Sequence, residues 1–146
     1  MIEVKRLTEY TPEIMSEMRG LLVELSRSGK DKGEIPREWF LQVIDSPWHD
    51  VLLAYEDGVL LGMVSLSVVM GAGILRNAYL EDFVVTREAR GMGVGGRLWE
   101  EMILWAKEKG CKRMEFTCGE GREEAQKFYE AHGAEVYPTR FYRREI

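Results

Sequence analysis

The chain has 146 residues, 45 % hydrophobic and 31 % charged, a globular composition with one core's worth of apolar residues. Its 25 acidic residues against 20 basic ones give a net charge of −5. The basic footprint of a nucleic-acid binder is therefore missing, and a cationic or amine partner suits the chain better.

Taken in chain order, Ile2 to Leu7 alternates apolar and charged residues as a half-buried strand does. Thr11-Pro12 sets a capping hydroxyl before a proline and starts a helix through Met15, Met18, Leu22 and Leu25. Ser28 to Gly33 reads as a loop, and Pro36 opens a second short helix with Trp39, Phe40 and Val43 on one stripe. The period then changes to two. Val51 to Tyr55 and Val59 to Val69 are strands joined at Asp57-Gly58, a hairpin signal. Met70 to Asn77, with Gly71 and Gly73, is expected to loop before a strand over Ala78 to Val85. Gly93 to Lys109 has the strongest helical pattern, stopped by Gly110. A strand over Arg113 to Thr117, a helix over Glu123 to His132 and one or two strands within Ala134 to Arg144 complete the order βααβββαβαβ(β). The expectation is a single mixed α/β (α+β) domain over residues 1–146. No apolar run reaches membrane-span length and no signal-peptide core follows Met1, so a cytoplasmic location and no membrane partner are expected. Cys111 and Cys118 have neither redox nor zinc spacing, and no metal is expected.

The segment Arg90-Gly91-Met92-Gly93-Val94-Gly95-Gly96 lies between a strand and a helix. The first N–H groups of a helix are unpaired and carry partial positive charge, so they form an anion site, and glycine lets an anion approach the backbone. Arg90 and Arg97 can add charge-assisted contacts. Gly91-x-Gly93-x-x-Gly96 also matches the dinucleotide fingerprint, with Glu115 at the ribose-binding distance. Against that reading stand the polar run Thr86 to Arg90, the carboxylates of Glu81 and Asp82 inside the strand, and too short a chain after Gly96.

These residues resemble a family. Arg90-x-x-Gly93-x-Gly95 is similar to the Gln/Arg-x-x-Gly-x-Gly/Ala signature of the GCN5-related N-acetyltransferases (GNAT), and Leu80 to Val85 looks like their central strand. Ala125-Gln126-Lys127-Phe128-Tyr129 through Gly133-Ala134 resembles their second motif, with Ala134 replacing an aromatic and Arg122 standing where Asn is frequent. The resemblance implies the acyl-CoA N-acyltransferase fold, a mixed, mostly antiparallel sheet flanked by helices. It also implies acetyl-CoA as cosubstrate and direct acetyl transfer to a primary amine of a small molecule or peptide through a tetrahedral intermediate. Main-chain groups of Phe83, Val84 and Val85 would meet the pantetheine arm and thioester. The N–H groups of Gly91, Met92, Gly93, Val94, Gly95 and Gly96 would hold the pyrophosphate, with Arg90, Arg97, Arg122 and Phe128 as further coenzyme contacts.

Two side chains are candidates for catalysis. With the second motif, Tyr129 is the candidate general acid for the departing thiolate, a phenol being protonated at neutral pH; the alternative is a helix aromatic packed in the core. Glu81 is the candidate base; strand alternation puts it on the face of Phe83 and Val85 and turns Asp82 away. An ordered water in place of a base, or an acid that only orients the amine, stays open. His132 reads as a helix-end cation and His49 as a loop residue beside the acceptor. The acceptor wall is expected within Ser28 to Trp48, the Met70 to Asn77 loop and the aromatic tail at Tyr137, Phe141 and Tyr142. Two other classes remain: an acyl-CoA-binding regulatory domain without turnover, and the dinucleotide module. Whether the chain forms a homodimer is left open.

Overall fold

The computed structural model describes residues 1–146. The elements are β1 (Glu3–Arg6), α1 (Pro12–Leu25), α2 (Arg37–Asp45), β2 (His49–Glu56), β3 (Val59–Gly71), β4 (Leu75–Val85), α3 (Val94–Glu108), β5 (Met114–Glu115) and α4 (Glu123–Ala131), with a single 3₁₀ turn at Arg87–Ala89. They fall into two compact units, Met1–Phe116 and Thr117–Ile146.

In the first unit the five strands form one sheet in the order β1-β2-β3-β4-β5. The pairs from β1 to β4 are antiparallel, and β5 alone runs parallel to its neighbour. The mixed, mostly antiparallel α+β architecture is the one the family resemblance implies. Thr11 caps α1 as expected, its Oγ1 accepting from the Ile14 N–H at 3.2 Å.

The register assigns the sheet's two faces. Leu52, Val64, Leu66 and Leu80 share one face, paired as Leu52 with Val64 and Leu66 with Leu80. This face lies under α3, whose Val94, Leu98, Met102 and Trp105 are fully buried, and it carries two polar residues, Asp50 paired with Leu66 and Arg6 paired with Leu52. Each such side chain stabilises the fold by about 1.5–3 kcal/mol. Trp105 Nε1–H donates to Asp50 Oδ2 at 2.6 Å, tying α3 to β2. On the other face Val51, Leu53, Met63 and Val84 pack with Leu7, Met15, Met18 and Leu21 of the β1–α1 segment.

Three expectations are corrected. The loop predicted over Met70 to Asn77 shrinks to a tight turn, because β3 continues to Gly71, β4 begins at Leu75, and Ile74 takes a left-handed φ of 60°. The strand expected over Arg113 to Thr117 pairs only at Met114 and Glu115. A bulge in β4 at Asp82 explains the shortening: a bulge bends the strand that carries it, and β5 keeps alongside β4 only ahead of that bend.

The second unit holds α4 and a segment from 132 to 146 that contains no strand. The tail has the β-forming residues Val136, Tyr137, Phe141 and Tyr142, but Pro138 has no N–H for a ladder. The Thr139 N–H instead donates to Tyr137 C=O at 2.9 Å, which closes a turn around that proline. The four apolar residues stay exposed.

Candidate active site

The glycine segment has the geometry the anion reading needs. After β4, the short turn Arg87–Ala89 leads into Gly91 and Gly93, with φ of 81° and 85°. An added Cβ would touch nothing within 4 Å at either position, so glycine is required there by backbone conformation rather than by space. Gly93 caps α3, and the Arg97 N–H donates to Gly93 C=O at 3.0 Å as the first bond of the helix. The N–H groups of Val94, Gly95 and Gly96 therefore lie ahead of the helical ladder and carry its positive end. Met92 N–H is already engaged by Ala89 C=O at 3.2 Å. Arg90 is exposed at the head of the loop and makes no ion pair. Arg97 is held along the helix instead, 2.6 Å from Glu101 Oε1 and 3.6 Å from Glu100 Oε2.

Just ahead of the loop, the β4 bulge changes which residues share a face. Met63 pairs with Val84 but Ser65 pairs with Glu81, so three steps on β4 span two on β3. Glu81 therefore lies on the face of Val84, opposite the face of Val85, and simple alternation through this stretch fails. Asp82, the bulged residue, has φ of 51°. Its Oδ2 accepts from Ser65 Oγ–H at 3.0 Å, which brings it to the side of Ser65 and Glu81 rather than away from them. The two carboxylates thus share one face. Phe83 is half-buried and Val84 belongs to the core. Sequence reasoning missed Ser65, though Ser65 and Ser67 are the polar positions of an otherwise apolar strand and carried that signal.

Gly62 was also missed. It pairs with Val85, and a Cβ there would meet Val84 O at 2.9 Å and methyl groups of Leu98 and Val94 at 3.2 Å. Its lack of a side chain sets how closely α3 approaches β3 and β4.

Within the second unit, Tyr129 on α4 is 8 % exposed. Burial pushes its phenol above the usual value and nearby Cys118 adds to this, while Arg122 opposes it. The hydroxyl is thus a proton donor across the neutral range. Phe128 meets Tyr129 edge to face at 5.8 Å and lies 4.0 Å from the His132 ring. His132 Nδ1–H donates to Phe128 C=O at 2.7 Å, an end-of-helix role in keeping with its sequence position. Arg122 is the exposed residue at the start of α4 and gives no side-chain cap. His49 is a strand residue, not a loop residue, and its Nδ1 is 2.9 Å from Ser46 Oγ. No group of three or more His, Cys, Asp or Glu side chains is arranged to hold a metal, and no helix is long and apolar enough to cross a membrane.

The chain is similar to known proteins in sequence and in fold. A 60-residue stretch is 35 % identical to thialysine N-epsilon-acetyltransferase of Bos taurus, covering 41 % of this chain and about a third (35 %) of that protein's length. An aminoglycoside acetyltransferase from an uncultured soil metagenomic sample, solved with trehalose, superposes with a TM-score of 0.83 at 19 % identity over 99 % of this chain and 97 % of that one. AAC(6')-Iy, solved with the bisubstrate analogue CoA-S-monomethyl-acetylneamine, gives 0.77 at 21 % identity over 100 % and 99 %. Residues 16–134 match the model of the acetyltransferase (GNAT) family, and the chain belongs to that family.

Proposed function

We propose that this chain transfers the acetyl group of acetyl-CoA to a primary amine. The observation that carries the reading is the junction of β4 and α3, where two left-handed glycines deliver three N–H groups at a helix start. Those groups, with Arg90, suit a pyrophosphate, and Arg97 would join them only by leaving its glutamates. The family match from 16 to 134 runs through both compact units, which supports treating residues 1–146 as one catalytic domain.

Bound acetyl-CoA supplies the acyl group: the amine nitrogen bonds the carbonyl carbon as the C–S bond breaks, giving the N-acetyl amine, the CoA thiol and a released proton. Each remaining task falls to the chain. The main chain of Val84 and Val85 lies on a strand that continues beyond β5, and such an edge suits pairing with the amides of a pantetheine arm. Tyr129 delivers a proton to the departing sulfur, and its buried phenol keeps that proton at neutral pH. Glu81, with Asp82 beside it, accepts the proton of the incoming ammonium directly or through water. The acceptor is a cationic amine of a small molecule or a peptide.

The test is calorimetric titration with CoA followed by thiol release from acetyl-CoA over a panel of amines. Binding plus turnover is expected, and Gly93→Glu, which sets a carboxylate at the anion site, should abolish the binding. Binding without turnover on any amine would favour the regulatory alternative. No binding at all would overturn the reading.

A further inference from the structure

The face of the sheet away from α3 is only half apolar. Its apolar half, Val51, Leu53, Met63 and Val84, carries the β1–α1 core. Beyond Val51 the face turns polar. Ser65 pairs with Glu81, the next row sets His49, Ser67 and Tyr79 side by side, and β5 adds Glu115 opposite Tyr79. With Asp82 drawn in by Ser65, this half bears three exposed carboxylates, and none of its strand positions is a Lys or Arg.

A second feature concerns the far carboxylate. Asn77 is the buried polar residue of the fold, at 4 % exposure, and its Oδ1 has no hydrogen-bond partner. An unsatisfied buried carbonyl opposes folding. The other end of the amide has a use: Asn77 Nδ2–H donates to Glu115 Oε1 at 2.5 Å, fixing that carboxylate on the polar face. Glu115 Oε2 is left without a protein partner and has no cation to pair with. Glu81 likewise pairs with no cation. One strand and two residues separate Glu81 from Glu115, which sets their Cα atoms roughly 8 Å apart by ordinary strand geometry.

We propose that Glu115, positioned by Asn77, is a second cation subsite, so that the preferred acceptor is a diamine: one amine reacts beside Glu81 and Asp82 while a distal ammonium binds Glu115. The proposal rests on the acetyltransferase reading above and adds the class of substrate. Two carboxylate centres on one face match two ammonium groups on a short chain. A monoamine leaves Glu115 empty.

The experiment compares thiol release from acetyl-CoA with α,ω-diamines of three to six carbons and with monoamines of equal length, using the whole chain. The diamine of best length should exceed its monoamine in kcat/KM by about ten-fold or more, the scale of one charge-assisted hydrogen bond. Glu115→Gln, nearly isosteric and on an exposed side chain, should bring that ratio close to one, with CoA binding measured alongside to confirm the fold. Glu115→Lys should turn the preference toward the ω-amino acid of the same length. Turnover of both classes at equal rates, or a diamine preference that survives Glu115→Gln, overturns the subsite while the acetyltransferase reading stands. Absence of CoA binding overturns both.

Discussion

Gly62→Ala tests the packing that joins the sheet to the start of α3. The added methyl would sit 2.9 Å from Val84 O and 3.2 Å from Leu98 Cδ1 and Val94 Cγ1. The oxygen is backbone in a paired strand and cannot swing aside, so either the first turn of α3 lifts or β4 moves. Overpacking of this kind costs about 1–3 kcal/mol. Replacing glycine also stiffens the unfolded chain, which returns about 0.4–1 kcal/mol. The net loss then lies between about zero and about 2.6 kcal/mol, or up to roughly 8 °C in Tm for a domain of this size. Because Val84 and Val94 flank the proposed thioester and pyrophosphate contacts, CoA affinity should fall as well. Two controls separate causes. Gly93→Ala meets no atom within 4 Å but has φ of 85°, so its loss of about 1–2 kcal/mol comes from the backbone alone, and Gly93→Asn should recover part of it. Gly20→Ala lies inside α1 with open space around it and should stabilise by about 0.5–1 kcal/mol. Melts followed by circular dichroism, with calorimetric CoA titrations, read all three. A Gly62→Ala protein that melts at or above the parent and binds CoA equally well refutes the packing argument.

Other perturbations probe the chemistry and the bulge. Tyr129→Phe should lower kcat by ~10²-fold or more with CoA affinity nearly intact, and a full-rate variant would reduce Tyr129 to a packing residue. The parent's rate should hold as pH rises until the phenol ionises, above its ordinary value near 10, because burial raises it and only the protonated form can donate; a rate that falls well below that pH assigns the limb to another group. Asp82→Gly and Asp82→Ala both lose the Ser65 bond, but only alanine keeps a Cβ at the left-handed φ; the alanine protein should be less stable than the glycine protein by about 1–2 kcal/mol in urea, and equal stability of the two would show that the bulge carries no strain. Trp105→Phe strands the Asp50 carboxylate and leaves a void, costing about 2–4 kcal/mol by urea denaturation; a loss below about 1 kcal/mol would show that the 2.6 Å bond contributes little.

What could be read in the sequence follows the range of the forces involved. Helix starts are local, so Thr11-Pro12 and the glycine run before Val94 were legible residue by residue, and the hairpin at Asp57-Gly58 equally so. The fold class and the glycine turn at the start of α3 needed only such signals. The parts that failed depend on partners distant in sequence. Nothing in Met114 to Thr117 tells a strand that its neighbour bends away after Tyr79, and nothing in Val136 to Tyr142 except Pro138 shows that β-forming residues will stay unpaired.

The face of Glu81 shows how such a failure reaches the chemistry. Alternation is a sound rule for a regular strand, and it turned Asp82 away from Glu81 and set Glu81 with Phe83 and Val85. One extra residue in β4, opposite β3, reverses that parity beyond Asp82. The cost is a non-glycine residue at φ of 51°, with Ser65 as the hydroxyl that holds it. Acidic residues in a central strand first look like a liability for burial. With the bulge they become a pair of carboxylates on one side, on the same half-face as Glu115, while Val85 turns toward the side of α3. On the proposed reading the side of Glu81 and Asp82 serves an ammonium while Val85 faces α3, and Asp82 is where β4 changes parity between them.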